Sequence, residues 1–458
     1  MQRGGARAVA RWAAGWAVGA TVPAVLRRRA PLLLAALALV AAVVAAVVLL
    51  RDGDDEPKRA VRAEPLAFVP AGTADVVFDL DTREPLVALA VEQLAQRVTH
   101  GGLSADQAHA LVGGRAAVAI DAGKAWLAFA TDAPAPRPTH GAAAAARGGV
   151  VLVAPSPADL ATAEAGARAP SARYARATFD KRFVGLPAAA SARVAFDPKP
   201  LLAQRSPQAA DTAWGRSLRD GAAVLTTSGA QVRVPFRISA DPIGLKPADL
   251  PLATGPQPPQ ARGSAPLVVG LRDPAQTLAF ARQAGLLQPL DLLDQLPGFL
   301  KPDLTNLGPN GTVTSTGLDL DHLTARFEPP DPGDWATKLG RIDTLAGLAG
   351  KAVLGGLSIE HRDGAYTLTS NGDLVARVGV YGKALVLSND PSANLPAAAA
   401  APAAPTPPGA AGALTARLRS SVLATQIPEL VRARVGDLTA WARAELAGVT
   451  GELRLALR

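Results

Sequence analysis

The chain has no cysteine among its 458 residues. Disulfide bonds, thiolate nucleophiles, cysteine-ligated zinc and iron–sulfur clusters are therefore excluded, because each of them needs a thiol. Aromatic residues are also scarce, at 4% of the chain. Outside the N-terminal tail no basic run has aromatic residues interleaved, as a nucleic-acid interface would. The composition predicts a protein without nucleic-acid partners that is held together by its own packing.

Sequence motifs for the common chemistries are missing as well. The five histidines do not form an H-E-x-x-H motif or any other metal-binding spacing; they are His100, His109, His140, His322 and His361. The chain also lacks a nucleophile elbow, a Walker loop and a dinucleotide-binding glycine motif. We therefore predict no catalytic residue, no cofactor-binding residue and no metal ligand.

Two carboxylate pairs are the best candidates among the acidic clusters for carrying chemistry. Asp79 and Asp81 are two residues apart, as are Asp319 and Asp321. On a strand this spacing puts both side chains on one face, where paired carboxylates can exchange protons or hold a cation. Both pairs stand at strand ends, however, and helix capping and solvation explain them more simply.

Residues 30–50 form an apolar run, APLLLAALALVAAVVAAVVLL, without a charged side chain. About 20 apolar residues in a helix span the hydrocarbon core of a bilayer. A cleaved signal peptide would have a shorter apolar region and a site of small residues after it, whereas RDGDDEP follows this run. We therefore predict a single-pass transmembrane helix at Ala30–Leu50 that acts as an uncleaved signal anchor.

The charges that flank this run predict the orientation of the chain. Six arginines and no acid lie in residues 1–29, and the formal net charge of the whole chain is +8. The positive-inside rule assigns such a segment to the cytoplasm. The sequence thus predicts a plasma-membrane protein with a cytoplasmic N-terminus and a nearly neutral bulk outside the cytoplasm.

A strand, a turn rich in aspartate and proline, and a helix recur five times beyond residue 65. The instances are residues 74–96, 149–166, 191–204, 265–283 and 323–342. Proline in the first helical turn and a short polar side chain before it are typical of helix N-termini. Helix N-termini can also bind phosphate, but these turns carry acids and lack glycine clusters, which favours capping.

The order of these units and of the hairpins between them suggests an internal duplication. We predict an α+β fold, in which the transmembrane helix precedes a duplicated ectodomain of antiparallel or mixed sheets with helices packed on one face. The predicted segments are a basic tail (1–29), the span (30–50), a juxtamembrane linker (51–64), lobe 1 (65–240), a proline-rich linker (241–263) and lobe 2 (264–458) with an Ala/Pro-rich insert (391–413).

The order of features resembles that of actinobacterial single-span membrane-anchored proteins that carry a large extracytoplasmic domain of unknown function. The matching segments are the apolar run, PAGTADVVFDLDT at 70–82, LVVGLRDPAQTLAFARQAGLL at 267–287 and GDLTAWARAELAGVTGELRLAL at 436–457. The resemblance implies an envelope location and supplies no catalytic residues.

Two classes of function remain. The first is a non-enzymatic, membrane-anchored envelope protein that binds a protein, lipid or polymer partner. The leucine-rich segment 283–304 could line an apolar cleft for such a partner, although an ordinary amphipathic helix pair packed on the sheet explains it more simply. The alternative is an envelope hydrolase that uses one of the two carboxylate pairs. The sequence leaves the oligomeric state open.

Overall fold

A computed structural model describes residues 63–69, 74–121, 124–168, 176–286, 304–317, 322–353, 357–370, 373–423 and 435–457. The predicted tail and span, and nearly all of the predicted juxtamembrane linker, lie outside these residues. Asp319, Asp321 and residues 287–303 of the leucine-rich segment lie outside them as well.

Strands dominate the described residues, which contain 18 of them. The first eight are β1 (Val76–Asp81), β2 (Arg115–Asp121), β3 (Lys124–Ala130), β4 (Ala143–Arg147), β5 (Val150–Ala154), β6 (Ala192–Phe196), β7 (Leu218–Ser228) and β8 (Gln231–Ala240). The others are β9 (Leu267–Arg272), β10 (Asn310–Ser315), β11 (Leu323–Phe327), β12 (Leu357–Arg362), β13 (Ala365–Ser370), β14 (Asp373–Tyr381), β15 (Ala384–Ser388), β16 (Leu414–Leu418), β17 (Val435–Glu445) and β18 (Gly448–Leu457).

The α-helices of the described residues are mostly short. They are α1 (Pro85–Val98), α2 (Ala105–Leu111), α3 (Pro157–Arg168), α4 (Arg176–Lys181), α5 (Pro198–Arg205), α6 (Pro207–Ala210), α7 (Ala213–Ser217), α8 (Pro274–Gln283), α9 (Pro332–Val353), α10 (Leu395–Ala399) and α11 (Ser420–Leu423). Single 3-10 turns lie at Pro65–Phe68 and Pro247–Asp249.

The described residues form two compact units. The first contains residues 63–245, 423, 435–438 and 446–457, and the second contains Lys246–Val422 and Thr439–Glu445. The first unit has the strand order β4-β5-β3-β2-β1-β6-β7-β8-β18. The second has the order β16-β9-β10-β11-β15-β14-β13-β12. Every strand pair whose register is described is antiparallel.

The strand order of the two units is similar around one strand in each. In the first unit β1 lies between β2 and β6, and in the second β9 lies between β10 and β16. Both β1 and β9 lead into a helix that begins with proline. The predicted second lobe, residues 264–458, includes the strand β18. In the structure, however, β18 pairs with β8 of the first unit. The duplication itself stays a prediction.

The predicted fold class is wrong. The described chain is largely antiparallel β-sheet with few long helices, and no helix in the described ranges is both long and apolar enough to cross a membrane. This finding corrects the predicted transmembrane, single-pass, signal-anchor architecture. The helices of the first unit also lie on both faces of its sheet instead of one, because its strands bury side chains on both faces, as the unbroken buried runs of β1 and β5 show.

Neighbouring residues of β1 show the two faces. Val77 belongs to a buried cluster with Ala163 of α3 and Phe179 of α4. The next residue, Phe78, points to the opposite face, where Val87 of α1 lies against it. A strand that is buried on both faces has a continuous apolar run instead of an alternating one. The sheet of the first unit is therefore the middle layer of three.

All five predicted strand–turn–helix units are present, at β1–α1, β5–α3, β6–α5, β9–α8 and β11–α9. Capping accounts for several of their turns. The Asp197 side chain accepts a hydrogen bond from the N–H of Lys199, and Asp331 accepts one from the N–H of Asp334 at 2.9 Å. The Ala/Pro-rich insert 391–413, which lacks periodicity, nevertheless contains α10, because Asn394 caps a run of good helix formers.

Candidate functional site

The antiparallel register of β1 brings one predicted acidic residue, Asp79, against two arginines. Asp79 lies opposite Arg193 on β6, and Asp81 lies opposite Arg115 on β2. Residues two apart on a strand share a face, so Arg115 is the diagonal neighbour of Asp79. The sequence predicted a pair of carboxylates here. The strand register instead places an arginine beside each of the two acids.

Three arginines converge on a single oxygen of Asp79. Oδ2 accepts from Arg176 Nη1 at 2.6 Å and from Arg193 Nη2 at 2.7 Å, and Arg115 donates to the same oxygen. Asp79 is only 4% exposed. Charge-assisted hydrogen bonds of this kind are about twice as strong as neutral ones, so this carboxylate is held firmly in place.

A second set of acids balances the arginines. Arg176 also bonds Glu64 at 2.8 Å, and Arg193 bonds Asp180 at 2.9 Å. The guanidinium groups of Arg176 and Arg193 lie 5.9 Å and 5.4 Å from the centre of the buried Phe179 ring, within the range of a cation–π contact. The cluster is therefore electrically neutral and closed on one side by an aromatic ring.

The ionisation of Asp79 follows from these contacts. Burial desolvates the carboxylate and by itself raises its pKa, but the hydrogen bonds and charges of Arg115 and Arg176 outweigh burial and hold the pKa below the ordinary 3.8. A general acid or base that works near neutral pH needs the opposite shift. Asp79 is thus a permanent anion, suited to structure and unsuited to proton transfer.

Asp81 belongs to a different, more open site. Arg83 donates to it through Nε at 2.7 Å and through its backbone N–H at 3.1 Å. Partial burial raises the pKa of Asp81, but these hydrogen bonds lower it by more, so that the pKa lies below 3.8. The two acids of the predicted pair are therefore hydrogen-bonded to different arginines, although the charge of Arg115 lowers the pKa of both. The other pair, Asp319 and Asp321, lies outside the described residues.

A second buried carboxylate, Glu452 on β18, was not predicted as a site. It accepts from Arg233 Nε at 2.5 Å and from Arg454 Nε at 2.8 Å. Burial raises its pKa, but these two arginines lower it by more, so that the pKa lies below 4.5. Arg233 and Arg454 are directly opposed across β8 and β18, so Glu452 relieves the repulsion of two like charges.

The histidines do not form a site in the parts of the chain that the structure covers. His109 pairs with Glu92 at 2.8 Å, His322 lies 3.7 Å from Asp390, and His361 stacks on Tyr366. His100 and His140 both occupy left-handed backbone positions. In the described residues, no three metal-ligating side chains lie close enough together to hold an ion.

The first unit also contains an apolar cleft on the face of β1 opposite Asp79. Its volume is about 80 Å³, and every residue that lines it is apolar. Helix α1 forms one wall, and β1, β6, β7 and β8 form the other; the lining side chains include Val87, Ala90, Val91 and Leu94 from the helix and Phe78, Leu80, Val194 and Leu225 from the sheet. The cleft can receive an apolar group but offers no polar partner.

Comparisons with known proteins add little to this geometry. No protein-family model matches the chain, and no curated protein has a significantly similar sequence. Two crystal forms of TP0453, forms III and I, are 11% identical to it with a TM-score of 0.25; the matches cover 40% of this chain and 82% and 80% of TP0453. Such values carry no argument about fold or function. The actinobacterial resemblance stays a prediction.

The sequence indicated the acids but not their partners. Arg193 interrupts the otherwise apolar strand ARVAF, and Arg115 begins the strand RAAVAID. An arginine within or next to an apolar strand is the one local signal of a buried ionic site. Their convergence on Asp79 depends on strand register, which no local pattern gives. The cleft left no signal, because its lining consists of ordinary core residues.

Proposed function

We propose that this chain is a non-enzymatic binding protein of the cell envelope and that the cleft under α1 holds the apolar end of a lipid ligand. The observation that carries the proposal is the wholly apolar lining of the cleft. Water gains no hydrogen bonds in such a space, so an apolar cavity stays dry and takes up apolar guests.

The size of the cleft defines the part of the ligand that it holds. A volume of about 80 Å³ compares with about 30 Å³ for one water molecule in the liquid, so a few carbon atoms fill it. Each buried methylene contributes about 0.8 kcal/mol. The end of an alkyl chain therefore fits, with the rest of the lipid outside the cleft.

The envelope location rests on the sequence of residues 1–62, which lie outside the described residues. A basic segment followed by an apolar run is typical of exported chains, and this supports a bulk outside the cytoplasm. The chain has no cysteine and therefore forms no disulfide bonds. The buried core of the first unit stabilises it instead. The proposed partner is thus a component of the envelope. Among envelope components, lipids fit the apolar cleft best.

The alternative, an envelope hydrolase, has less support. It would need Asp79 with Asp81, or Asp319 with Asp321, as its acid and base. The three arginines around Asp79 keep it ionised, and no buried histidine adjoins it in the described residues. A hydrolase of this kind would lose its turnover when both pairs are replaced by alanine.

Titration of the purified full-length chain with decanoate tests the proposal. We expect saturable binding, followed by calorimetry, that the substitution Ala90→Leu weakens by roughly tenfold or more. The larger side chain projects from α1 into the cleft and occupies the space of two or three alkyl carbons, each worth about 0.8 kcal/mol.

Ala88→Leu is the matched control. It makes the same change two residues earlier on α1, about 200° round the helix from Ala90, and Ala88 does not line the cleft. Binding should be unchanged in this variant. Equal decanoate binding by the wild type and Ala90→Leu, or an equal loss in both variants, would show that the cleft is not the site.

A further inference from the structure

The second unit contains a larger cleft with the opposite chemistry. Its volume is about 220 Å³, and its lining includes Arg262, Thr312, Thr314, Thr324 and Arg326. The register of β10 and β11 pairs Thr312 with Arg326 and Thr314 with Thr324. These four side chains therefore form a compact square on one face of the sheet, and Arg262 stands beside it.

Both arginines are fixed in position without using all their hydrogen-bond donors. Arg326 donates from Nε to Ala399 O at 3.0 Å and pairs through Nη2 with Glu328 at 2.8 Å. Arg262 contacts Glu328 through Nε at 3.3 Å and Ala401 O through Nη1 at 3.4 Å. A guanidinium carries five N–H donors, so about three on each arginine have no acceptor among the described residues.

The local charge favours an anion. Glu328 balances one of the two guanidinium groups, and none of the residues that line the cleft is acidic. One positive charge therefore remains on the arginine pair. The side chain of Arg326 is 12% exposed and that of Arg262 is 41% exposed, so solvent screens this charge only in part. Positioned guanidinium groups recognise carboxylate and phosphate oxygens through paired hydrogen bonds.

The backbone near the cleft also allows a close approach. Gly263 has a φ of 135°, a conformation that side chains rarely adopt. A Cβ atom at this position would lie 2.9 Å from Thr314 Cγ2. Glycine thus keeps the wall next to Arg262 thin. The Thr314 and Thr324 hydroxyl groups are already bonded, to Thr324 O at 3.3 Å and to Ser388 Oγ at 2.9 Å. Among the described residues, the Thr312 hydroxyl accepts from the Arg262 N–H at 2.9 Å and keeps its own hydrogen for a ligand.

We propose that this cleft binds a tetrahedral oxyanion, a phosphate or sulfate group, between Arg262, Arg326 and the Thr312 hydroxyl group. The anion is either a free ion or the head of a phosphate-bearing lipid, since both present the same oxygens. The proposal is independent of the apolar cleft of the first unit and would stand if decanoate did not bind there.

Calorimetric titration of the full-length chain with inorganic phosphate, at constant ionic strength against chloride, tests this site. We expect saturable binding that Arg262→Gln weakens by roughly tenfold or more, the loss associated with hydrogen bonds to a charged group. Arg262→Lys should lose less, because it keeps the charge but not the paired donors. Arg362→Gln is the matched control, since Arg362 pairs with Glu360 on β12 and does not line the cleft.

The outcomes are distinct. No binding above the chloride background, or an equal loss in Arg262→Gln and Arg362→Gln, would overturn the proposal. Should Arg262→Gln fail to fold, the ranking of the wild type, Arg262→Lys and Arg362→Gln still decides it. Co-sedimentation with phosphatidylglycerol vesicles separates the two sources: a loss of vesicle binding in Arg262→Lys assigns the site to a lipid head, and unchanged vesicle binding assigns it to the free ion.

Discussion

Strand β1 has opposite chemistry on its two faces. On one face Asp79 is bonded by three arginines, two of which also bond a second acid. On the other face Phe78 and Leu80 line a cleft that α1 does not fill. Both faces are buried, yet only the apolar one leaves space for a guest. Burial alone therefore does not identify a binding site in this unit.

The difference follows from what each face requires. A buried charge is costly unless its hydrogen bonds are satisfied, so the sequence must supply charged partners around Asp79. An imperfectly packed apolar face costs much less, because only dispersion contacts are lost. The ion pairs on one face thus stabilise the first unit. The apolar face can leave space unfilled, and a ligand can occupy that space.

Removal of the charge of Asp79 should have the largest effect. Asp79→Ala leaves three arginines without their shared acceptor, and breaking a buried ion pair costs about 3–5 kcal/mol. We expect roughly 3 kcal/mol, the low end, because the arginines keep part of their surface in water. Urea unfolding measures this, with Asp79→Asn as the variant of equal size. An unchanged unfolding midpoint in both variants would show that the cluster contributes nothing to stability.

Enlarging the apolar cleft should have a smaller effect. Val91→Ala removes two methyl groups from a residue that is 2% exposed, and we expect a loss of about 2 kcal/mol in the free energy of unfolding. Decanoate should bind this variant at least as tightly as the wild type, because the cleft gains volume. Weaker decanoate binding in a folded Val91→Ala variant would contradict a vacancy at this face.

The acid dependence of stability distinguishes the two faces further. Folding lowers the pKa of Asp79 and Glu452 below 3.8 and 4.5. As the pH falls, the unfolded chain therefore takes up protons before the folded chain does. The stability that these two groups contribute is complete above about pH 5, and it is lost as the pH falls through their folded-state pKa values. Urea unfolding between about pH 6 and pH 3 should show a shallower loss in Asp79→Asn than in the wild type. Parallel curves would contradict this linkage.

Much of the local structure could be predicted from the sequence. Proline at the first helical position marks all five strand–turn–helix units, and a capping side chain precedes some of them, such as Asp197 before α5. The hairpin of β7 and β8 turns at Gly229, whose φ of 55° is one that glycine adopts readily. These features depend on interactions within a few residues, which a sequence shows directly.

The global arrangement could not be predicted in the same way. The helices of the first unit pack on both faces of the sheet because strands such as β5, VVLVA, are apolar throughout, a pattern also compatible with one covered face. The pairing of β18 with β8 joins residues more than 200 positions apart. The convergence of Arg176 on Asp79 needs both the strand register and the position of α4.

The smallest effect is expected at Asp81, which the sequence placed beside Asp79 as an equal partner. Its ion pair with Arg83 is local and partly exposed, with 57% of the arginine side chain in solvent. Such pairs contribute about 0–1 kcal/mol, so Asp81→Ala should change the free energy of unfolding by less than about 1 kcal/mol. Urea unfolding of Asp81→Ala beside Asp79→Ala therefore compares two carboxylates two residues apart on one strand. Similar losses in both variants would mean that the two acids act as one pair, and the distinction between a closed ionic core and an open strand end would fail.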